Sequence, residues 1–275
     1  MNALLMIGLC ISTFLYSLSV KYLVNQGMRT SDILFQVGLM GTVCSLASSF
    51  TAKQNIIPKN IKLQLFRFIL AGAGLHLLTE SYKGLSLSSL SLIHRFDVLL
   101  LIVLGPLVNV PSLLRERTLS LGVMILAVSG VLFWDKNSTS LGVFHAILGM
   151  TLITLGYYLI SLGINKETFG TTILVPSLSL ISFSLIQVNE FQFNLYALLA
   201  GVIMVVIYYF TIKLYKVYDL ARAEFPTFLA ALLIVLSDVL IFSKNLDLIY
   251  ITSLVFLIIF SWMILFQFST QRRIL

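Results

Sequence analysis

Unbroken apolar runs of about 18–22 residues recur from one end of this chain to the other, each close to the length a helix needs to cross roughly 30 Å of hydrocarbon. This recurrence restricts the fold more than any single motif does. Lipid satisfies neither backbone N–H nor C=O groups, so only helices or a closed barrel can span it. A barrel would alternate polar and apolar residues in segments of about 10, and these runs are continuous instead. Charged residues make up 11% of the 275 and hydrophobic ones 59%, against about 25% charged in a soluble domain. That is too little polar surface to cover a core in water. The expected fold class is an all-α membrane protein.

Polar punctuation predicts ten transmembrane helices, over residues 3–23, 32–51, 62–81, 88–110, 118–134, 141–163, 171–188, 195–215, 224–243 and 247–268. The connections are short, and none holds a separate soluble domain. The first run, Ala3 to Val20, lacks a basic leader and a small-residue cleavage site and continues to Lys21 and Tyr22, so it reads as an uncleaved first span. Cys10 and Cys44 both fall inside apolar runs, with no spacing that suggests a disulfide framework or a metal site.

The formal charge of +7 does not point to nucleic acid, because the basic residues sit at span ends rather than in one solvated patch. With the N-terminus inside, the inner connections and tail hold Lys53, Lys59, Lys62, Arg115, Arg117, Lys166, Lys213, Lys216, Arg222, Arg272 and Arg273. The outer ends hold the smaller set Lys21, Arg29, Lys83, Lys136 and Lys244, while Arg67 and Arg95 lie within spans. The bias predicts an even number of spans with both termini cytoplasmic, in the cell inner (cytoplasmic) membrane.

Weak internal similarity divides the ten spans into two sets of five. Ile7–Ser17 resembles Leu148–Tyr158 with Gly, Thr and Tyr in register at an offset of 141, and Ser81–Ser89 echoes Leu214–Arg222 at an offset of 133. An odd number of spans per copy makes the copies face opposite ways, so the expected architecture is two inverted five-helix repeats, 1–137 and 138–275.

The stretch SYKGLSLSSLSLIHRFDVLLLIVLGPLVN followed by RERTLSLGVMILAVSGVLFW resembles the fourth and fifth helices of the drug/metabolite transporter superfamily, EamA-like branch. The likeness rests on a small-residue-rich start to the fourth helix, the acidic-basic pair Glu116–Arg117, and the glycines Gly122 and Gly130 in the fifth. It implies the same five-plus-five architecture over the whole chain. It also implies a central cavity lined by the first, sixth and eighth spans, which carry Tyr16, Tyr157, Tyr158, Tyr208 and Tyr209.

Ionisable side chains inside spans are costly and mark candidate sites. His94, Arg95 and Asp97 cluster in the fourth span; His94 and Asp97 share a helix face and Arg95 looks about 100° away. One reading is a site for a zwitterionic or partly charged solute, with Arg95 on a carboxylate and Asp97 on an amine or a coupling proton. The other is mutual neutralisation for assembly. His76 and Glu80 share a face of the third span, with Lys83 a turn further; Glu80 reads as a proton-entry carboxylate or as an interfacial partner of Lys83. Asp238, in the ninth span, reads as a second proton carrier or as a structural hydrogen-bonding group, and Glu224 as an interfacial group at that helix's start. The substrate-binding candidates are therefore Tyr16, His94, Arg95, Asp97, Tyr157, Tyr158 and Tyr208, and the proton-coupling candidates Glu80, Asp97 and Asp238.

The function these features predict is secondary-active transport of a small organic solute, amino-acid-like or a related metabolite, by alternating access and with proton coupling open. The chain has no P-loop motif to bind ATP. A lipid-carrier flippase on the same scaffold, or an intramembrane enzyme using His94 and Asp97, are the alternatives; the leading reading is not an enzyme. No cofactor or metal is implied. The expected partners are the solute and the lipid bilayer, not nucleic acid, and a homo-oligomer is compatible with the sequence.

Overall fold

The computed structural model describes residues 2–94, 96–103, 114–134, 138–163, 167–187, 191–217 and 225–241, together with Val255 and Ile259. Among them every regular element is a helix and none is a strand. In chain order they are α1 (Asn2–Asn25), α2 (Thr30–Thr51), α3 (Ile61–Gly84), α4 (Leu87–His94), α5 (Phe96–Val103), α6 (Leu114–Trp134), α7 (Ser140–Gly163), α8 (Phe169–Leu185), α9 (Leu195–Tyr215) and α10 (Phe225–Leu240). Each of the first nine apolar runs is thus helical where it is described, apart from the turn residues Ile186, Gln187 and Ile241 at the ends of the seventh and ninth. The tenth, 247–268, lies outside the described residues apart from Val255 and Ile259, as does 104–113 of the fourth.

By length and composition α1, α2, α3, α7 and α9 are able to cross a membrane, and shorter apolar helices lie within α6, α8 and α10. The outward faces agree with a hydrocarbon solvent: Leu4, Phe66, Ile125, Leu126, Phe133 and Leu240 are all exposed. Polar residues turn inward, so Asp32, Ser45, Ser81, Ser88 and Ser177 are fully buried. This inside-out distribution identifies a membrane protein.

Side chains at the helix starts take over the orphan N–H groups that lipid leaves unpaired. The Asn60 side chain accepts from Leu63 N at 3.1 Å, and Asn194 from Tyr196 N at 2.9 Å. Thr168 Oγ1 accepts from Thr171 N at 3.2 Å, and Ser86 Oγ from Ser89 N at 3.1 Å. At the other end of α3, Lys21 Nζ donates to the carbonyls of Tyr82 and Leu85 at 2.7 and 2.8 Å, a cation placed where the helix dipole favours it.

The close pairings run between the first and second halves of the chain. α1 and α9 are antiparallel, with Gly8 against Phe210 at one end and the Tyr22 and Tyr196 rings 5.6 Å apart at the other. α2 and α8 are antiparallel, Gly38 lying on Leu180, Gly41 on Ser177 and Ser45 Oγ donating to the Gly170 carbonyl at 2.7 Å. α3 and α7 are antiparallel too, Gly74 meeting Gly149 and Ile153 while Gly84 meets Gly142. By contrast α3 runs parallel to α8, with Arg67 on Thr172, Ser179 on Phe68 and Gly72 on Phe183. α2 likewise runs parallel to α9, Gln36 on Asn194, Val37 on Gly201 and Gly41 near Met204. Small residues at these contacts let backbones approach closely, which is the main source of helix association where there is no hydrophobic effect between helices.

At Gly149 the atoms nearest to an added Cβ are all backbone. A Cβ there would lie 2.8 Å from Leu78 N and 2.9 Å from the Gly74 carbonyl, neither of which can rotate away. Gly149→Ala is expected to destabilise the protein by about 1–3 kcal/mol, the usual cost of overpacking. Gly122, which has no described atom within 4 Å of that position, serves as control: Gly122→Ala should leave the melting temperature unchanged or slightly raised. Thermal unfolding of detergent-purified variants checks both.

Candidate functional site

Where α1, α3, α7 and α9 come together near their midpoints, they enclose a cavity of about 100 Å³ closed by α4, α5 and α10. α1 contributes Thr13, Tyr16 and Ser17, α7 Tyr157, and α9 Tyr208 and Thr211. His94, Asp97 and Thr227 reach it from α4, α5 and α10, while Leu75, Leu78, Met150, Ile153 and Met204 supply apolar wall. The lining therefore mixes hydroxyls, an imidazole and a carboxylate with aliphatic surface, and it draws on both halves of the chain. The Tyr16 hydroxyl is buried on this wall and meets no hydrogen-bond partner among the described residues.

A side void of about 30 Å³ adjoins the cavity, sharing Leu75, Ile153, Tyr157 and Tyr208 with it and adding Arg67 and Gly156. Arg67, in the second turn of α3, is 2% exposed. Its Nη1 donates to Gln64 Oε1 at 3.0 Å and its Nη2 to the Thr172 carbonyl at 2.7 Å. The latter bond has a local cause. Pro176 lies inside α8 and has no N–H to offer the carbonyl four residues earlier, so Arg67 takes over that acceptor. The Tyr208 side chain stands beside the guanidinium on the wall of the side void. Placing a cation in a span costs about 2.5–3.5 kcal/mol near the helix centre, and part of that cost is offset by these bonds.

Among the sequence candidates, Tyr16, His94, Asp97, Tyr157 and Tyr208 meet at the central cavity. Arg95 and Glu224 lie outside the described residues. Tyr158, half-buried, is not on either cavity wall, since it follows Tyr157 by one residue and so points about 100° away. Tyr209 turns outward for the same reason and stacks edge-on with Phe169 and Phe210.

The remaining carboxylates stand elsewhere. Glu80 pairs with Lys83 at 2.8 Å on a partly exposed face, off the cavity wall. Asp238 is buried at the far end of α10, where it accepts from Ser88 N at 2.7 Å and Ser88 Oγ at 2.6 Å. A carboxylate thus sits on the N-terminus of α4, which the helix dipole favours. His76 approaches Gln187 at 3.3 Å, away from the cavity.

Arg67 is the site residue that sequence reasoning passed over, treating it only as a basic residue within a span. A signal existed: a single arginine inside an apolar run, with a glutamine three residues before it on the same helix face. Thr13, Ser17, Thr211 and Thr227 carried none, because hydroxyls are common in membrane helices.

No family model and no curated protein matches the chain. Among solved structures, one described only as a crystal structure of a protein superposes with a TM-score of 0.65, over 94% of this chain and 94% of its own, at 12% identity. The chain therefore shares an experimentally observed fold along nearly its whole length.

Asp238→Ala leaves an N–H and a hydroxyl at the start of α4 without their acceptor, and a loss of about 1–3 kcal/mol of stability is expected. Glu80→Gln removes a pair in contact with solvent and should cost under about 1 kcal/mol. Melting temperatures of the two purified variants, compared side by side, check the ordering.

Proposed function

We propose that this chain is a secondary transporter of the EamA-like type, with ten membrane helices arranged as two inverted five-helix repeats that carry a small organic solute across the cytoplasmic membrane by alternating access. The observation that carries the reading is the central cavity, walled at mid-helix by residues of both halves. Exchanging α1 with α7, α2 with α8 and α3 with α9 turns the α1–α9 pair into α7–α3 and the α2–α9 pair into α8–α3, and leaves α2–α8 as itself. The directions follow suit: taken through the pairings above, α1, α2 and α3 alternate in sense, and α7, α8 and α9 alternate starting from the opposite sense. Tyr16 and Tyr157, in register in the sequence repeat, stand on the same cavity wall, and Gly8 and Gly149, also in register, are both close-contact sites against the other half.

A cavity of about 100 Å³ is smaller than the roughly 300–1,000 Å³ of ordinary ligand pockets. The structure thus corresponds to a constricted state, and a solute enters when the halves rock apart on one side or the other. Asp97, the carboxylate on the cavity wall, is the group proposed to take up and release a coupling proton.

Alternating access has a test that needs no known substrate. With Cys10 and Cys44 replaced by Ser, Thr13→Cys places one thiol on the cavity wall. A membrane-impermeant thiol reagent is expected to label it both in right-side-out and in inside-out vesicles. Labelling from one side alone would mean a fixed vestibule and would remove the transport reading. Once a solute is found by thermal-shift screening, Asp97→Asn should abolish proton-driven uptake into proteoliposomes while the variant stays monodisperse; uptake at the wild-type rate would remove Asp97 from the coupling role.

A further inference from the structure

The fold accounts for only part of what Arg67 does. A guanidinium stays charged throughout the physiological pH range, yet among the described residues no carboxylate stands within ion-pair distance of this one. Glu167, whose charge reaches it at longer range, has its carboxylate occupied by Lys59 N and Asn60 N at 3.2 and 3.1 Å. Gln64 and the Thr172 carbonyl are neutral acceptors, and together they do not exhaust five N–H donors. A lysine or a glutamine would have sufficed to cover the Thr172 carbonyl left by Pro176. What they would lack is the planar charged fork, which matches a carboxylate. The fork lies on the side void, flanked by Tyr157 and Tyr208, two side chains that also line the adjoining central cavity. At about 30 Å³ the void is small, and it suits a small planar head group better than a tetrahedral phosphate.

We propose that Arg67, with Tyr157 and Tyr208 beside it, is an anion subsite that receives the carboxylate of the transported solute, while the rest of the solute occupies the central cavity. The proposal deepens the transport reading, on which it rests for the word solute, and narrows the cargo to organic acids, amino acids included. In this proposal the carboxylate of the cargo pairs with a buried cation that has no ion-pair partner among the described residues.

The test uses the purified full chain with Cys10→Ser, Cys44→Ser and Ala71→Cys, which puts a thiol on the wall of the side void. Its conversion to the methyl disulfide by methyl methanethiosulfonate, a small neutral reagent that releases methanesulfinate, is timed with acetate, acetamide or inorganic phosphate added at matched ionic strength. Acetate is expected to slow the reaction and acetamide, its neutral isostere, to leave it unchanged. In an Arg67→Gln background acetate should lose its effect, and Arg67→Lys should need about tenfold more acetate for the same protection, since the point charge remains and the second, parallel bond is gone. If Arg67→Gln fails to run as a monodisperse peak, Tyr208→Phe takes its place. It leaves the bonds to Gln64 and Thr172 intact and should weaken acetate protection about tenfold.

Equal protection by acetate and acetamide, protection by phosphate but not acetate, acetate protection that survives Arg67→Gln, or a thiol that never reacts would each overturn the subsite. The transport reading fails differently. Two-sided labelling of the Thr13→Cys variant without acetate-specific protection keeps the carrier and rejects the carboxylate, whereas acetate-specific protection with one-sided labelling keeps the anion site and rejects the carrier.

Discussion

Hydrocarbon offers no hydrogen bonds, and nearly every polar contact in this protein answers to that constraint. Hydroxyls within helices bond back to their own backbone, as Ser12 does to the Gly8 carbonyl at 2.7 Å and Ser177 to the Ile173 carbonyl at 2.8 Å. Where a helix has a gap, another helix fills it: Arg67 covers the carbonyl freed by Pro176, Lys21 covers the end of α3, and Asp238 covers the start of α4. Each of these bonds ties elements far apart in sequence, so the need to satisfy backbone groups also sets which helices lie together. Tyr16 and Arg67 have hydrogen-bonding capacity that the described protein does not use, and they face the two adjoining cavities, while other unpaired hydroxyls, such as those of Ser120 and Ser184, lie elsewhere.

The second determinant is steric. With lipid as apolar as leucine, helices gain by packing closely, and glycine or serine at the contact shortens the approach. The α2–α8 and α3–α7 pairs rely on Gly38, Gly41, Gly74 and Gly149 in this way. Loops add to the same interlocking. The Glu167 carboxylate, ahead of α8, holds the backbone of Lys59 and Asn60 ahead of α3, and the Gln36 side chain in α2 holds the Gln192 carbonyl and Asn194 N ahead of α9. In both places a side chain of one half holds the backbone just ahead of a helix of the other.

Much of the fold was legible because helix length and lipid thickness are coupled by simple geometry: an apolar run of the right length in this solvent can only be a helix, and α9 begins and ends at the residues its run predicts. Tyr16 and Tyr157, which match at an offset of 141 in the sequence, both line the central cavity. Single carboxylates were not legible. Asp97 and Asp238 both look like buried acids in an apolar run, and nothing local says that one lines a cavity while the other receives an N–H from Ser88.

What the sequence by itself determined is the solvent, the helical class and the approximate length of each element, because these follow from hydrophobicity summed along the chain. Only the tertiary structure decided which polar side chains are consumed by the protein and which remain for a ligand. Arg67 shows why: its acceptor at the Thr172 carbonyl comes from α8, more than 100 residues away in the chain. Hydrogen bonds are short and directional, so the partners of a buried charge exist only once the helices have met.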